Sequence, residues 1–178
     1  MRNTDRTLAR ALALTIAGTI LMGCGGEAPA ARGVATAEAA AAEADLVVYK
    51  SPTCACCNAW IDHMREAGYS VAAVDLVEYE AMAGKKAELG VPGDLGSCHT
   101  AVIAGYTVEG HVPASVVARL LEERPSDIRG ISAPGMPIGS PGMEGANPQP
   151  YDVIAFRKDG SRVVYESIYP GRPASDSR

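Results

Sequence analysis

The sequence predicts an α/β domain built in the order β-α-β-α-β-β-α, with an added C-terminal β-hairpin. Three observations carry that prediction. Short apolar runs rich in β-formers alternate with stretches of helical apolar spacing, glycine closes the first two helical stretches, and the last two alternating runs meet at Asp159-Gly160. With 178 residues the chain has room for one such domain, expected over residues 45–170.

Leu46-Val47-Val48-Tyr49 is apolar and bounded by Ser51-Pro52, so it reads as a buried strand. The stretch from Cys56 to Ala67 sets Trp60, Met64 and Ala67 on one stripe and stops at Gly68, as a core-facing helix does. A second strand is expected from Ser70 to Val77, and a second helix from Tyr79 to Leu89 ends at Gly90. Thr100 to Ala104 and Thr107 to His111 flank Gly105-Tyr106 as a hairpin, a register that sets Thr100 opposite His111. Pro113 then opens a third helix, Ala114 to Glu123. From Arg124 to Pro150 glycine and proline crowd the chain and predict one long loop, functional or disordered. Tyr151 to Arg157 and Ser161 to Ile168 make the terminal hairpin, and residues 171–178 read as a disordered tail. The element order resembles that of the thioredoxin fold, a likeness that says nothing of chemistry.

The first 23 residues read as an export signal. Arg2, Arg6 and Arg10 precede an apolar stretch from Ala11 to Met22, about half the length that spans a bilayer. Leu21-Met22-Gly23-Cys24 resembles the lipobox of bacterial lipoproteins, in which cleavage before the cysteine leaves it to take a lipid. An ordinary signal with an incidental cysteine is the competing reading. Gly25, standing where an aspartate would favour retention, points the resemblance to the outer membrane. Residues 24–44 then hold a lipidated Cys24 and an alanine-rich tether without apolar periodicity. The expected location is periplasmic, with a membrane as partner through the lipid anchor. The net charge of −5 leaves no basic footprint, which argues against nucleic acid.

The densest chemistry lies in Thr53-Cys54-Ala55-Cys56-Cys57, where the first strand meets the first helix. Cys54 and Cys57 stand at CxxC spacing, so a dithiol redox pair is formally present. Cys56 lies between them, and plain dithiol exchange needs no third thiol. A helix N-terminus favours thiolates, and thiolates bind soft metals. Export places these thiols where disulfides form, so an unpaired cluster there requires a metal or redox explanation. The loop Ser97-Cys98-His99-Thr100 precedes a strand expected to run antiparallel to the first, which brings a fourth cysteine to the same end. Thioredoxins carry a proline in that loop; this chain carries Cys98-His99.

His99 adjoins a candidate ligand and is equally readable as a solvated loop residue. His111 returns to the same end of the sheet, as a ligand or as a hydrogen-bonding partner of the hairpin. His63, seven residues beyond Cys56, sits about 10 Å along the helix axis and reads as a supporting histidine. Met136 and Met143 are soft thioethers in the long loop, suited to copper(I) or to filling gaps.

The run from Tyr49 to Cys57, Trp60, His63, Ser97-Cys98-His99-Thr100-Ala101, Gly105-Tyr106 and Glu109-Gly110-His111-Val112-Pro113 is joined by Pro134-Gly135-Met136-Pro137 and Gly139-Ser140-Pro141-Gly142-Met143. Together these motifs resemble the CopG family of copper-resistance proteins, over essentially Leu46 to Ile168. The resemblance implies a periplasmic thioredoxin-like domain holding copper in a multinuclear cluster bridged by Cys54, Cys56, Cys57 and Cys98. His99, His111, Met136 or Met143 would complete the shell, and other periplasmic copper-handling proteins are the expected partners. Two further readings stay open. One is a thiol-disulfide oxidoreductase using Cys54 and Cys57; the other is a structural zinc site, which four ligands would close and which leaves His99 and His111 unexplained.

Overall fold

The computed structural model describes residues 43–171. The export signal, Cys24, the tether up to residue 42 and the tail from residue 172 lie outside the described residues. The elements are β1 (Leu46–Lys50), α1 (Ala55–Glu66), β2 (Val71–Asp75), α2 (Tyr79–Glu88), β3 (Thr100–Ile103), β4 (Tyr106–Gly110), α3 (Ala114–Glu123), β5 (Ile128–Ala133), β6 (Tyr151–Arg157) and β7 (Arg162–Ile168). The strands form one sheet in the order β2-β1-β3-β4-β5-β6-β7. β1 runs parallel to β2 and β4 to β5, while the other neighbours are antiparallel. An α/β fold with a C-terminal hairpin is therefore what the sequence builds.

Two expectations are corrected. Part of the predicted loop from Arg124 to Pro150 is strand β5, which pairs Thr107 with Gly130 and Gly110 with Ala133. Gly130 hid it, because glycine weakens the strand signal. Its presence is required by close approach: a Cβ there would stand 2.3 Å from the Thr107 carbonyl oxygen and 2.5 Å from Phe156 Cζ. The β3–β4 register also differs, pairing Ile103 with Tyr106 and Thr100 with Glu109 rather than His111. Ala104 (φ 47°) and Gly105 (φ 84°) form the tight turn, both left-handed as two-residue hairpins of this twist demand.

The core lies on one face of the sheet. Leu46, Val48, Ala101, Ile103, Val108 and Ile131 meet Trp60, Ile61 and Met64 of α1 and Val116, Val117 and Leu120 of α3. Each of the buried Val, Leu, Ile and Met side chains contributes about 1.5–3 kcal/mol on burial. Trp60 is fully buried and donates its Nε1–H to the Val112 carbonyl at 2.8 Å, so its one polar atom is satisfied. The opposite face carries Tyr49, Thr100, Thr107 and Glu109. There α2, which buries no residue of its own, attaches through Lys85 over the Tyr49 ring and Lys86 on Thr100 and Glu109. Among the described residues no helix is long and apolar enough to cross a membrane.

Candidate metal centre

Strand directions bring the reactive residues to one end of the sheet. The C-terminal ends of β1, β4 and β5 and the start of β3 all lie there, since Lys50, Thr100, Gly110 and Ala133 sit at that edge of the ladder. Onto it open the Cys54–Cys57 turn, the Cys98-His99 loop, His111 and the segment after Ala133. Cys54 caps α1, its Sγ accepting the Cys57 N–H at 3.3 Å, so the helix amides point at the sulfur site.

Cys54 and Cys57 are joined as a disulfide, while Cys56 and Cys98 are free thiols. Cys98 Sγ lies 3.5 Å from Cys57 Sγ and 3.8 Å from Cys56 Sγ, and Cys54 Sγ lies 3.5 Å from Cys56 Sγ. All four sulfurs fall within 4.8 Å of one another. Burial, and after it the neighbouring Cys56, push the Cys98 thiol up to about 12. In the metal-free protein it thus keeps its proton near neutral pH.

Cys98 also belongs to a second group of donors with His99 and His111. His111 Nδ1 donates to the Pro141 carbonyl at 2.8 Å, because a carbonyl only accepts. That bond fixes the tautomer and leaves the Nε2 lone pair facing Cys98 Sγ at 3.0 Å. His99 Nδ1 lies 3.3 Å from the same sulfur, its ring 4.5 Å from Trp60 and 5.0 Å from His111 between centroids. His99 Nε2 is buried without a hydrogen-bond partner. Such an orphan is costly unless another atom occupies the position. Burial, then His111 and Lys86, hold His99 well below the ordinary histidine value, and burial also lowers His111. Neutral imidazoles and thiols are the donor set of soft and borderline metals, so the residues present fit copper.

His63 stands apart: its Nε2 accepts the Ala114 N–H at 3.1 Å, serving the unpaired first turn of α3, whose cap is a proline. The segment from Pro134 to Met143 folds over α1. Gly142 (φ 80°) is so close that a Cβ would stand 2.7 Å from the Cys56 oxygen and 2.8 Å from the Trp60 nitrogen. Met143 follows it, half-buried, and closes a turn by donating its N–H to Ser140. Met136 is 54% exposed, one residue beyond the Gly135 that bridges Ser97.

Glu109 is a site residue that sequence reasoning missed. Fully buried, it accepts the Ser97 N–H at 2.5 Å and the Thr100 hydroxyl at 2.6 Å and pairs with Lys86. Burial raises its carboxyl, and Lys86, Thr100 and Ser97 oppose that rise. The available signal was a carboxylate at a strand position between apolar Val108 and Gly110. A cavity of 570 Å³, walled partly by Val77, Tyr79, Met82 and Lys86, reaches Ser97 and Cys98.

A family model described as "Protein of unknown function, DUF411" matches residues 95–143, the stretch that holds Cys98, His99, Glu109, His111 and Pro141. No curated protein matches the chain. Among solved structures, form 2 of copper resistance protein CopG is 40% identical, covering 71% of this chain and 98% of its own, with a TM-score of 0.64. Form 1 is 41% identical, covering 71% and 97%, with a TM-score of 0.61. Nearly the whole of each solved chain is thus matched, at an identity at which shared ancestry is plain. The chain belongs to the CopG family of copper resistance proteins.

Proposed function

We propose that this protein binds copper(I) for copper resistance or homeostasis, holding several ions among the thiolates of Cys54, Cys56, Cys57 and Cys98 once external thiols have reduced the Cys54–Cys57 disulfide. The observation that carries the reading is the gathering of four sulfurs within 4.8 Å, three at a helix N-terminus and one from a loop more than forty residues away. Thiolate is the donor that selects copper(I) over harder ions. His111 Nε2 and His99 Nδ1, both facing Cys98 Sγ, extend the shell with nitrogen, and the thioethers of Met136 and Met143 are its proposed outer donors. The ions are cargo, and the protein's own residues hold them. In keeping with the export signal and lipobox, the site of action is the periplasm, with Cys24 anchoring the chain to the outer membrane and periplasmic copper-handling proteins as exchange partners.

The Cys54–Cys57 disulfide favours a second reading, thiol-disulfide exchange. Two external thiols would reduce it and leave joined as a disulfide, with Cys54 and Cys57 taking up the two electrons and two protons. The two readings part at Cys98. Metal analysis of reduced, anaerobically purified Cys98→Ser is expected to find fewer copper ions per chain than in wild type. Equal copper would remove the four-cysteine site and leave the exchange reading in its place.

A further inference from the structure

We infer that Glu109 is a positioning residue that clamps the Cys98-His99 pair against the sulfur site, with Lys86 as its counter-charge. The clamp rests on the copper reading for its purpose and on geometry for its substance. Ser97 and Thr100 flank the pair, and one carboxylate grips both: Oε1 takes the Ser97 N–H and Oε2 the Thr100 hydroxyl. Lys86 Nζ reaches from α2 to Oε1 and to Thr100 Oγ1 at 3.0 Å, closing the ring. The register makes this possible, because Thr100 and Glu109 are directly opposite on β3 and β4.

The backbone beside the clamp is shaped for it. At Gly110 (φ 72°) a Cβ would stand 2.5 Å from Ser97 Cβ and Oγ, so only glycine lets the loop lie this close to β4. One residue further, His111 Nε2 lies 3.0 Å from Cys98 Sγ. The residues of Glu109-Gly110-His111 therefore play successive parts: grip, clearance and contact.

Burying an ion pair rarely increases stability over apolar side chains of similar volume. A charge retained in this position is better explained by the placement it enforces. The double variant Lys86→Met, Glu109→Val removes both charges together but strands the Ser97 N–H and the Thr100 hydroxyl, so it is expected to fold and to unfold at a lower temperature than wild type. Its copper(I) affinity, measured against a competing chelator, is expected to fall about tenfold or more, as when outer partners of metal ligands are lost. Its sulfur-to-copper charge-transfer spectrum should change as well. Wild-type affinity and spectrum in a folded double variant would overturn the inference while leaving the copper reading intact.

If the double variant does not fold, Glu109→Gln decides, since it keeps the shape and loses one acceptor. A several-fold loss of affinity supports the clamp, and unchanged affinity and spectrum overturn it. Should wild type itself bind no copper(I), the copper reading falls, and a metal-free measurement decides. Alkylation of Cys98 in the reduced protein, followed by peptide mass spectrometry, should quicken several-fold in the variant if the clamp holds the loop; an unchanged rate means that it does not.

Discussion

Cys98 belongs to two donor groups at once, the four sulfurs and the Cys98-His99-His111 triad, so its sulfur is the vertex where soft and borderline ligands meet. That vertex was legible in the sequence only through topology, as a cysteine in the loop before an antiparallel strand. The triad's geometry was less so: the expected register set His111 opposite Thr100, whereas Glu109 occupies that place and Gly110 turns the chain so that His111 reaches the sulfur. Glu109 left only a faint trace, a carboxylate within a strand, because a buried carboxylate declares its partners only in three dimensions. His99 carries a consequence for stability. Its folded value lies well below the ordinary 6.5, through burial first and His111 and Lys86 after, so the unfolded chain takes up the proton sooner as pH falls. The stability that neutral His99 supports is present above about pH 6.5 and drains away as pH falls toward the folded value. Urea midpoints of the copper-free protein should therefore drop between about pH 7 and pH 5, and His99→Gln should flatten that slope. Parallel slopes in the two proteins would place the acid sensitivity elsewhere.

Among the elements, α1 and α3 were foreseen almost to their ends, because apolar stripes and the flanking Gly68 and Pro113 mark them plainly. The strand β5 was not, since Gly130 and the charged Arg129 interrupt any alternation and the need for glycine arises from a neighbour, Thr107, distant in sequence. The segment after β5 has the same character. Gly142 rests on the first turn of α1, and Pro141 next to it fixes the His111 tautomer. Gly142→Ala should force that segment off the helix, since the Cβ meets backbone on two sides and a left-handed alanine adds roughly 1–2 kcal/mol of its own. The expected result is a protein with lowered thermal stability and weaker copper(I) binding, measured by calorimetry and chelator competition. Gly68→Ala, at a left-handed glycine with open space around it, should cost stability without touching affinity. Equal affinity losses in both would assign the effect to general loosening.

In the molecule as a whole, four cysteines gather at one end of the sheet, and the fifth, Cys24, is proposed to carry lipid. Cys24→Ser should then appear in the soluble periplasmic fraction while binding wild-type copper, as judged by fractionation and metal analysis. Persistent membrane association of that variant would remove the anchor from the account. The direction of β1 adds a spatial meaning to such an anchor. Leu46 pairs with Ile103 at one end of the ladder, whereas Lys50 leads into the cysteine turn at the other. Five residues of strand, roughly 16 Å, thus separate the point where the leading segment joins the domain from the thiols. A chain fastened by its N-terminus would carry its thiols at the end of the sheet farther from the attachment, and the alanine-rich tether expected over residues 25–44 would let that end sweep toward partners in the fluid and at the surface alike.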